Sequence, residues 1–456
     1  MWFSSQLFTE ILETNEDATI YDCFMDGDKR KSLVNDFIEL NVTKENYKQL
    51  IELADFLMVE NADPFIDKII DIHDYQYDII YEFEDFYKHN TNRLIQFERL
   101  ELINAIKLYS KNHVLCFQKY GFTSFWNVSN ILNMNSLFYK FNPKYTIDIS
   151  RWDVSNVIDM SDMFVLSNFD GDISKWDVSN VKYMNGMFAY SCFNNDISEW
   201  NTSNVIIMTA LFKTSNFNSD ISKWNTSNVM DTSSMFQHTH FTGDISEWDM
   251  SSVLNMSLMF QYSCFNGDIS KWDVSNVGAL NCTFAHSNFN NDISKWNVEN
   301  VESMIYTFCN SKFKGSLSKW NVSNVRRMTG VFSRTKFNSD ISKWDVSNVN
   351  DMSYMFSNGR FNQNISNWNV SNVVTMENMF EKSVFNNDLS QWNVSNVKNM
   401  NRMFENSLFN QDISTWDIVN IEHMENMFYN SMYSWEKPCP LFCRIYRNNR
   451  FCTNVV

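Results

Sequence analysis

The 456-residue chain is predicted to be an α/β solenoid, and three observations carry that prediction. Tryptophan recurs at Trp152, Trp176, Trp200, Trp224, Trp248, Trp272, Trp296, Trp320, Trp344, Trp368, Trp392 and Trp416, an unbroken interval of 24 residues. Between successive tryptophans the apolar spacing changes from a helical period to a strand-like one. Pro143 and Pro438 bracket the array, with no proline between them. A unit this short cannot bury its own apolar face, so neighbours must stack into one continuous core.

The consensus unit is D-I-S-K-W-[DN]-V-S-N-V-x-x-M-x-x-M-F-x-x-S-x-F-N-x. Val157, Met160, Met163 and Phe164 fall at i, i+3, i+6 and i+7, which predicts a short helix or 3₁₀ segment. Asp153, Ser155 and Asn156 before it are residue types that cap such a segment. The S-x-F-N-x stretch then turns the chain, with asparagine or aspartate serving where glycine is more usual. D-I-S-K-W predicts a short strand with isoleucine inward and tryptophan at its closing bend. Trp126 opens a diverged copy, so about thirteen repeats occupy 124–433.

Each repeat position becomes a column. The Trp, Phe, Met and Val/Ile columns are expected to form the core, against the sharper alternative of an exposed aromatic ladder for sugars or bases. Asparagine at 156, 180, 204, 228, 276 and on to 420, with only Ser252 departing, predicts a ladder of side-chain amides satisfying buried backbone groups at the turn. Aspartate precedes the isoleucine in most copies and is expected to bond local backbone donors. Three residues on comes a mostly basic column, including Arg151, Lys175, Lys223, Lys271, Lys295, Lys319 and Lys343. Its interruptions, Glu199, Glu247, Asn367, Gln391 and Thr415, are the candidate binding face.

A formal charge of −17 and a pI near 4.9 oppose generic binding to nucleic acid or anionic lipid. No apolar run approaches the ~18 residues of a membrane span, and the opening MWFSSQLFTEILETNEDATIYD has no leader pattern, so an intracellular, cytoplasmic protein is expected. Nine cysteines are too few for a disulfide scaffold and are expected to be free thiols. No P-loop, G-x-G-x-x-G, G-x-S-x-G or H-E-x-x-H is present, and His238 with His240 occur in one repeat alone. Neither catalysis nor a cofactor is expected. The aspartate column lacks the sharp glycine turn of a calcium loop. Cys439, Cys443 and Cys452, in a tail at 434–456, are zinc-competent residue types whose simpler reading is a frayed terminus.

FNNDISEWNTSNV and its equivalents resemble the repeat of BspA-like bacterial surface proteins, the DUF285 repeat, over roughly 124–433. The resemblance extends to giant-virus members of that family, which the AT-biased composition fits. It implies a leucine-rich-repeat-like α/β solenoid; the residues themselves give no expectation of a cofactor or a metal. Residues 1–123 read as a helical capping domain, and LNVTKENYKQLIELADFLMVENADPFIDKII resembles part of a BTB/POZ or Skp1-like module over 29–72. That second resemblance implies an adaptor for a host ubiquitin-ligase component. The expected function is a non-catalytic protein–protein interaction scaffold; the alternative is an adhesion or glycan-binding surface protein.

Overall fold

The computed structural model describes residues 96–434 apart from 122 and 145. The BTB- or Skp1-like stretch and the tail cysteines lie outside the described residues. The chain divides into two compact units, one containing Lys107–Phe122 and the other joining Gln96–Ile106 to everything from Thr123 onward. Two helices are described, α1 (Arg99–Lys111) and α2 (His113–Tyr120), followed by a 3₁₀ turn at Thr123–Phe125. Asn112 starts α2 by accepting the Leu115 N–H on its side-chain oxygen at 2.9 Å, an N-cap bond. Leu102, Ala105 and Ile106, at i, i+3 and i+4 of α1, are buried.

Within the second unit the stretch from Gln96 makes the first rung of the repeats. Gln96 pairs in parallel with Asn127, and Phe97 lies against Trp126 with ring centroids 4.9 Å apart. Arg99 donates to the carbonyl oxygens of Asn133 and Asn135 at 3.0 and 2.8 Å. From there single parallel bridges run without interruption from Asn133 through Asp159, Tyr183 and Ile207 to His423, one residue per repeat.

The repeats contain neither the helix nor the strand that the sequence predicts, and the α/β assignment is corrected accordingly. Val157, Met160, Met163 and Phe164 are buried together, but by overlapping turns. Met163, Val165 and Ser167 donate their N–H groups three residues back, to Met160, Asp162 and Phe164. The intervening amides turn away: Met160, Asp162, Phe164 and Leu166 donate to Tyr183, Asn185, Met187 and Ala189 of the next coil at 2.8–3.1 Å. A helix would use every one of these N–H groups internally. Here half of them join coil to coil, which accounts for the buried backbone donors and provides the stacking force.

Sending alternate amides outward requires a left-handed backbone twice per coil. Asp162 and Leu166 have φ of 55° and 57°, and the same two positions are left-handed in every later copy. Most are not glycine, although that conformation costs an ordinary L-residue roughly 1 kcal/mol or more. In every coil but the last, the inter-coil bond donated by each of these residues offsets the cost.

D-I-S-K-W is likewise a turn and not a strand. Trp176 N–H donates to Ile173 O at 3.1 Å, while Asp172 Oδ1 accepts the Ser174 N–H at 2.9 Å. Asp177 and Ser179 repeat that Asx geometry five residues on. Three aromatic columns fill the interior. The tryptophans lie inward at 3–4 % exposure, stacked as Trp296 on Trp320 at 6.4 Å and 5°. From Trp176 onward each indole N–H donates to the isoleucine or leucine carbonyl of the preceding coil, as Trp176 does to Ile149 O at 3.0 Å, while Trp152 donates to Thr123 O at 2.8 Å. The Phe164 and Phe169 columns stack the same way, 5.5 Å from Phe164 to Phe188 and 6.3 Å from Phe169 to Phe193.

Candidate interaction surface

What the columns leave over is the outer side of the turn segment, where the consensus reads x. Six residues after each tryptophan the chain carries Ile158, Lys182, Ile206, Met230, Leu254, Gly278, Glu302, Arg326, Asn350, Val374, Lys398 and Glu422 in turn. Ile158, Met230 and Leu254 are 37 %, 43 % and 49 % exposed, so these side chains are not core. The column therefore runs from mostly apolar in the early coils to mostly charged in the late ones. The left-handed column fourteen residues after tryptophan also becomes more polar, from Leu166 and Tyr190 to asparagines at 310, 358, 406 and 430 with Arg334 and Lys382 among them.

Midway, three rings of that column stack on the surface. His238 lies on Tyr262 at 4.4 Å and 12°, and Tyr262 on His286 at 4.3 Å and 14°. The Asn310 amide meets His286 Nδ1 at 2.9 Å. Burial, then Arg334, then His238 push the His286 imidazole below its ordinary value, so the neutral ring is favoured. Both faces of Tyr262 are covered by histidine rings, which leaves the edges of the tyrosine and not its faces for a ligand.

The structure places Glu199, Glu247, Asn367, Gln391 and Thr415 on one exposed column. Glu199 and Glu247 do not stand free there: each pairs with the lysine of the next coil, Lys223 at 2.6 Å and Lys271 at 2.7 Å, all four side chains at least 65 % exposed. Thr415 Oγ1 donates to Ser390 O at 2.6 Å, and Gln391 Nε2 to Ser390 Oγ at 3.3 Å. Asn367 is exposed. The neighbouring aspartates bond local backbone: Asp196, Asp220, Asp244, Asp268, Asp292 and Asp340 are held below the usual carboxylate range chiefly by the N–H, and then the hydroxyl, of the serine two residues on. Lysine is the smaller influence where it acts.

The asparagine column forms its ladder, but at the surface. Asn180 Nδ2 donates to Ser155 O at 2.7 Å, and the bond recurs to Asn420 on Ser395 O. A second ladder uses the asparagine after phenylalanine, whose side-chain oxygen accepts the N–H of the residue 24 further on, as Asn194 does from Asn218 at 2.7 Å. The sequence reading assigns that asparagine a turn alone. Its recurrence in register was the available signal.

Among the described residues no three His, Cys, Asp or Glu side chains gather to hold a metal ion, and no helix is long and apolar enough to cross a membrane. Among the described residues, Cys116, Cys192, Cys264, Cys282 and Cys309 take part in no disulfide. Burial pushes the Cys116 thiol up to about 12 and raises Cys282 and Cys309, so these stay protonated at neutral pH, unlike activated nucleophiles.

Near-identical turn units whose conserved side chains are consumed in stacking define a repeat protein. The family described as "Mycoplasma protein of unknown function, DUF285" matches at residues 111–215, 166–264, 190–288, 238–336, 279–383 and 330–437. These matches cover more than half of the chain, and the chain belongs to that family. No curated protein and no solved structure matches it.

Proposed function

We propose that the protein is a non-catalytic interaction scaffold, a leucine-rich-repeat-like solenoid whose information lies in the turn-segment face. One observation carries this reading. The repeated side chains are spent on the core and on inter-coil bonds, while the positions that differ between coils, such as Met230, Leu254, Glu302 and Arg326, point outward. Such a surface changes character along the stack and suits recognition of one extended partner. The column from Glu199 to Thr415 is a second candidate face. An adaptor role for the N-terminal region and a location inside the cell belong to the same proposal. The adhesion or glycan reading has less support, since the repeated aromatic ladders are buried and both faces of Tyr262 are covered by histidine rings.

The test is affinity purification of the full chain beside two variants, one bearing Met230→Ser with Leu254→Ser, the other Asn367→Lys with Gln391→Lys. Partner recovery that drops in either variant supports a scaffold with that face in use. Recovery indistinguishable from beads in all three would sink the reading.

A further inference from the structure

Positive charge is not spread evenly along this acidic chain. Between Lys312 and Asn364 stand nine lysines and arginines against three aspartates and no glutamate, in a protein of net charge −17. Sixteen residues after tryptophan, three successive coils carry Lys312, Lys336 and Arg360, with Asn288 before and Val384 after. Lys314 and Arg334 lie within two residues of this column. All five are exposed, and among the described residues none of them makes an ion pair.

A second, independent feature coincides with the first. The aspartate column is interrupted only at Ser316 and Asn364, two residues after Lys314 and four after Arg360. Two of the three carboxylates that would neutralise this corner are thus missing, and only Asp340, in the middle coil, remains. Its backbone is pinned as well: Lys312 and Arg360 donate to Ser287 O and Thr335 O at 3.2 Å, and Lys314 to Asn290 Oδ1 at 2.8 Å. Cations fixed at the coil spacing of ~4.8 Å repel one another until an anion bridges them. The field of Arg334 already reaches His286, where it opposes protonation.

We propose that Lys312, Lys314, Arg334, Lys336 and Arg360 dock a short acidic segment of a partner protein. This rests on the scaffold reading and names the chemistry of its partner. The corner is three coils tall, on the order of 10 Å between its outer rungs at the sheet spacing. An extended peptide presents same-side carboxylates about 6.7 Å apart, so two or three acidic side chains match it. A polynucleotide or a membrane would continue onto the flanking coils, where Asp268, Asp292, Asp388 and Asp412 repel it. Lys312 and Lys336 supply point charges, while Arg334 and Arg360 grip carboxylates in bidentate fashion.

The experiment is fluorescence anisotropy of labelled hexaglutamate with the full chain at low salt, with oligothymidylate and phosphatidylserine vesicles as comparison probes. Expected is binding that weakens with salt and falls at least tenfold in the triple variant Lys312→Glu, Lys336→Glu, Arg360→Glu, with a smaller fall in the glutamine triple. The same charge change at Lys175, Lys271 and Lys295 should alter it less than twofold, and Lys312→Arg with Lys336→Arg should retain it. The proposal is overturned if the triple variants bind as the wild type does, if the control triple loses as much, or if oligothymidylate or vesicles bind more tightly through these residues. Circular dichroism verifies that each variant is folded. Partner capture that persists in the triple variant, with no hexaglutamate binding, would overturn this inference and leave the scaffold reading standing.

Discussion

Ser252 donates its hydroxyl to Ser227 O at 2.6 Å, the bond that Asn276 Nδ2 makes to Ser251 O at 2.7 Å one coil later. The one departure from the asparagine column therefore keeps its function: a short donor reaching back to the preceding coil. Asn276→Ser should leave thermal stability nearly unchanged. Asn276→Ala removes the donor and should cost about 1 kcal/mol, at the lower end of the usual range because water reaches the carbonyl. Equal losses in the two variants, measured by urea denaturation, would show that the bond is not what selects the residue.

Gly330 shows why glycine is kept at one left-handed position and not at most of the others. A Cβ there would lie 2.1 Å from Tyr306 Cε1, because the tyrosine ring covers the next coil's backbone. Gly330→Ala adds that overlap to an unfavourable φ of 61° and should destabilise by about 2–3 kcal/mol. Combined with Tyr306→Ala the added cost should fall to about 1 kcal/mol. A double-mutant cycle with no coupling would refute the overlap as the cause.

The division between what the sequence disclosed and what it withheld has physical reasons. Burial of Trp176 was legible because a large aromatic at a fixed interval must stack. Its direction was not, since Ile173 and Trp176, three apart, break the alternation of the strand that D-I-S-K-W suggests. Val157, Met160, Met163 and Phe164 fit a helical face, yet the left-handed backbone at Asp162 and Leu166 breaks the helix. Leu166 does not advertise that conformation and Asp162 does so only weakly; glycine at 186 and 330 and asparagine at 310, 358, 378, 406, 426 and 430 do, but in part of the copies. Glu199 was visible as a binding candidate because it interrupts a repeated lysine, and its pairing with Lys223 needed the register between coils. The turn-segment face is hard to read from the sequence because Met230 and Arg326 occupy positions written as x, where variability is itself the signal.

Acid should act on the stack in two separable steps. His286 is depressed below the ordinary imidazole value of 6.5, so as pH falls through 6.5 the unfolded chain binds a proton first. Stability is lost from there down to the lower folded value, and protonation also sets the His286 Nδ1–H against the Asn310 amide. His286→Gln should flatten this first decline in urea midpoints taken from pH 7.5 to 5. An unchanged slope would contradict the assignment.

The second step belongs to the aspartates. Asp196, Asp220, Asp244 and Asp292 are depressed below 3.8, so their contribution is complete above that pH and lost as pH falls through the folded values. Asn364 occupies the same column and still accepts the Ser366 N–H at 2.9 Å, so an amide preserves the turn. Replacing the four aspartates by asparagine should leave neutral-pH stability within about 1 kcal/mol, as for exposed charges generally. The midpoint between pH 4 and 2 should then vary less than in the wild type. A parallel acid decline in both proteins would place the proton-binding groups elsewhere.

Trp272 offers the sharpest separation of packing from hydrogen bonding. It is 3 % exposed, stacks on Trp296 at 6.4 Å, and donates its indole N–H to Ile245 O at 2.9 Å. Trp272→Ala removes all three contributions and should cost about 3–5 kcal/mol. Trp272→Phe keeps a ring in the column but leaves Ile245 O without its indole donor, and should cost about 1–3 kcal/mol. Because each coil contacts only its neighbours, the damage should be local before it is global. Hydrogen exchange should rise first at the turn amides of the adjoining coils, such as Phe260 and Phe284, which donate to Thr283 and Thr307. The outer coils should keep their protection. Uniform deprotection from Met134 to Phe428 would mean that the stack unfolds as one cooperative block, and the nearest-neighbour account of its stability would be wrong.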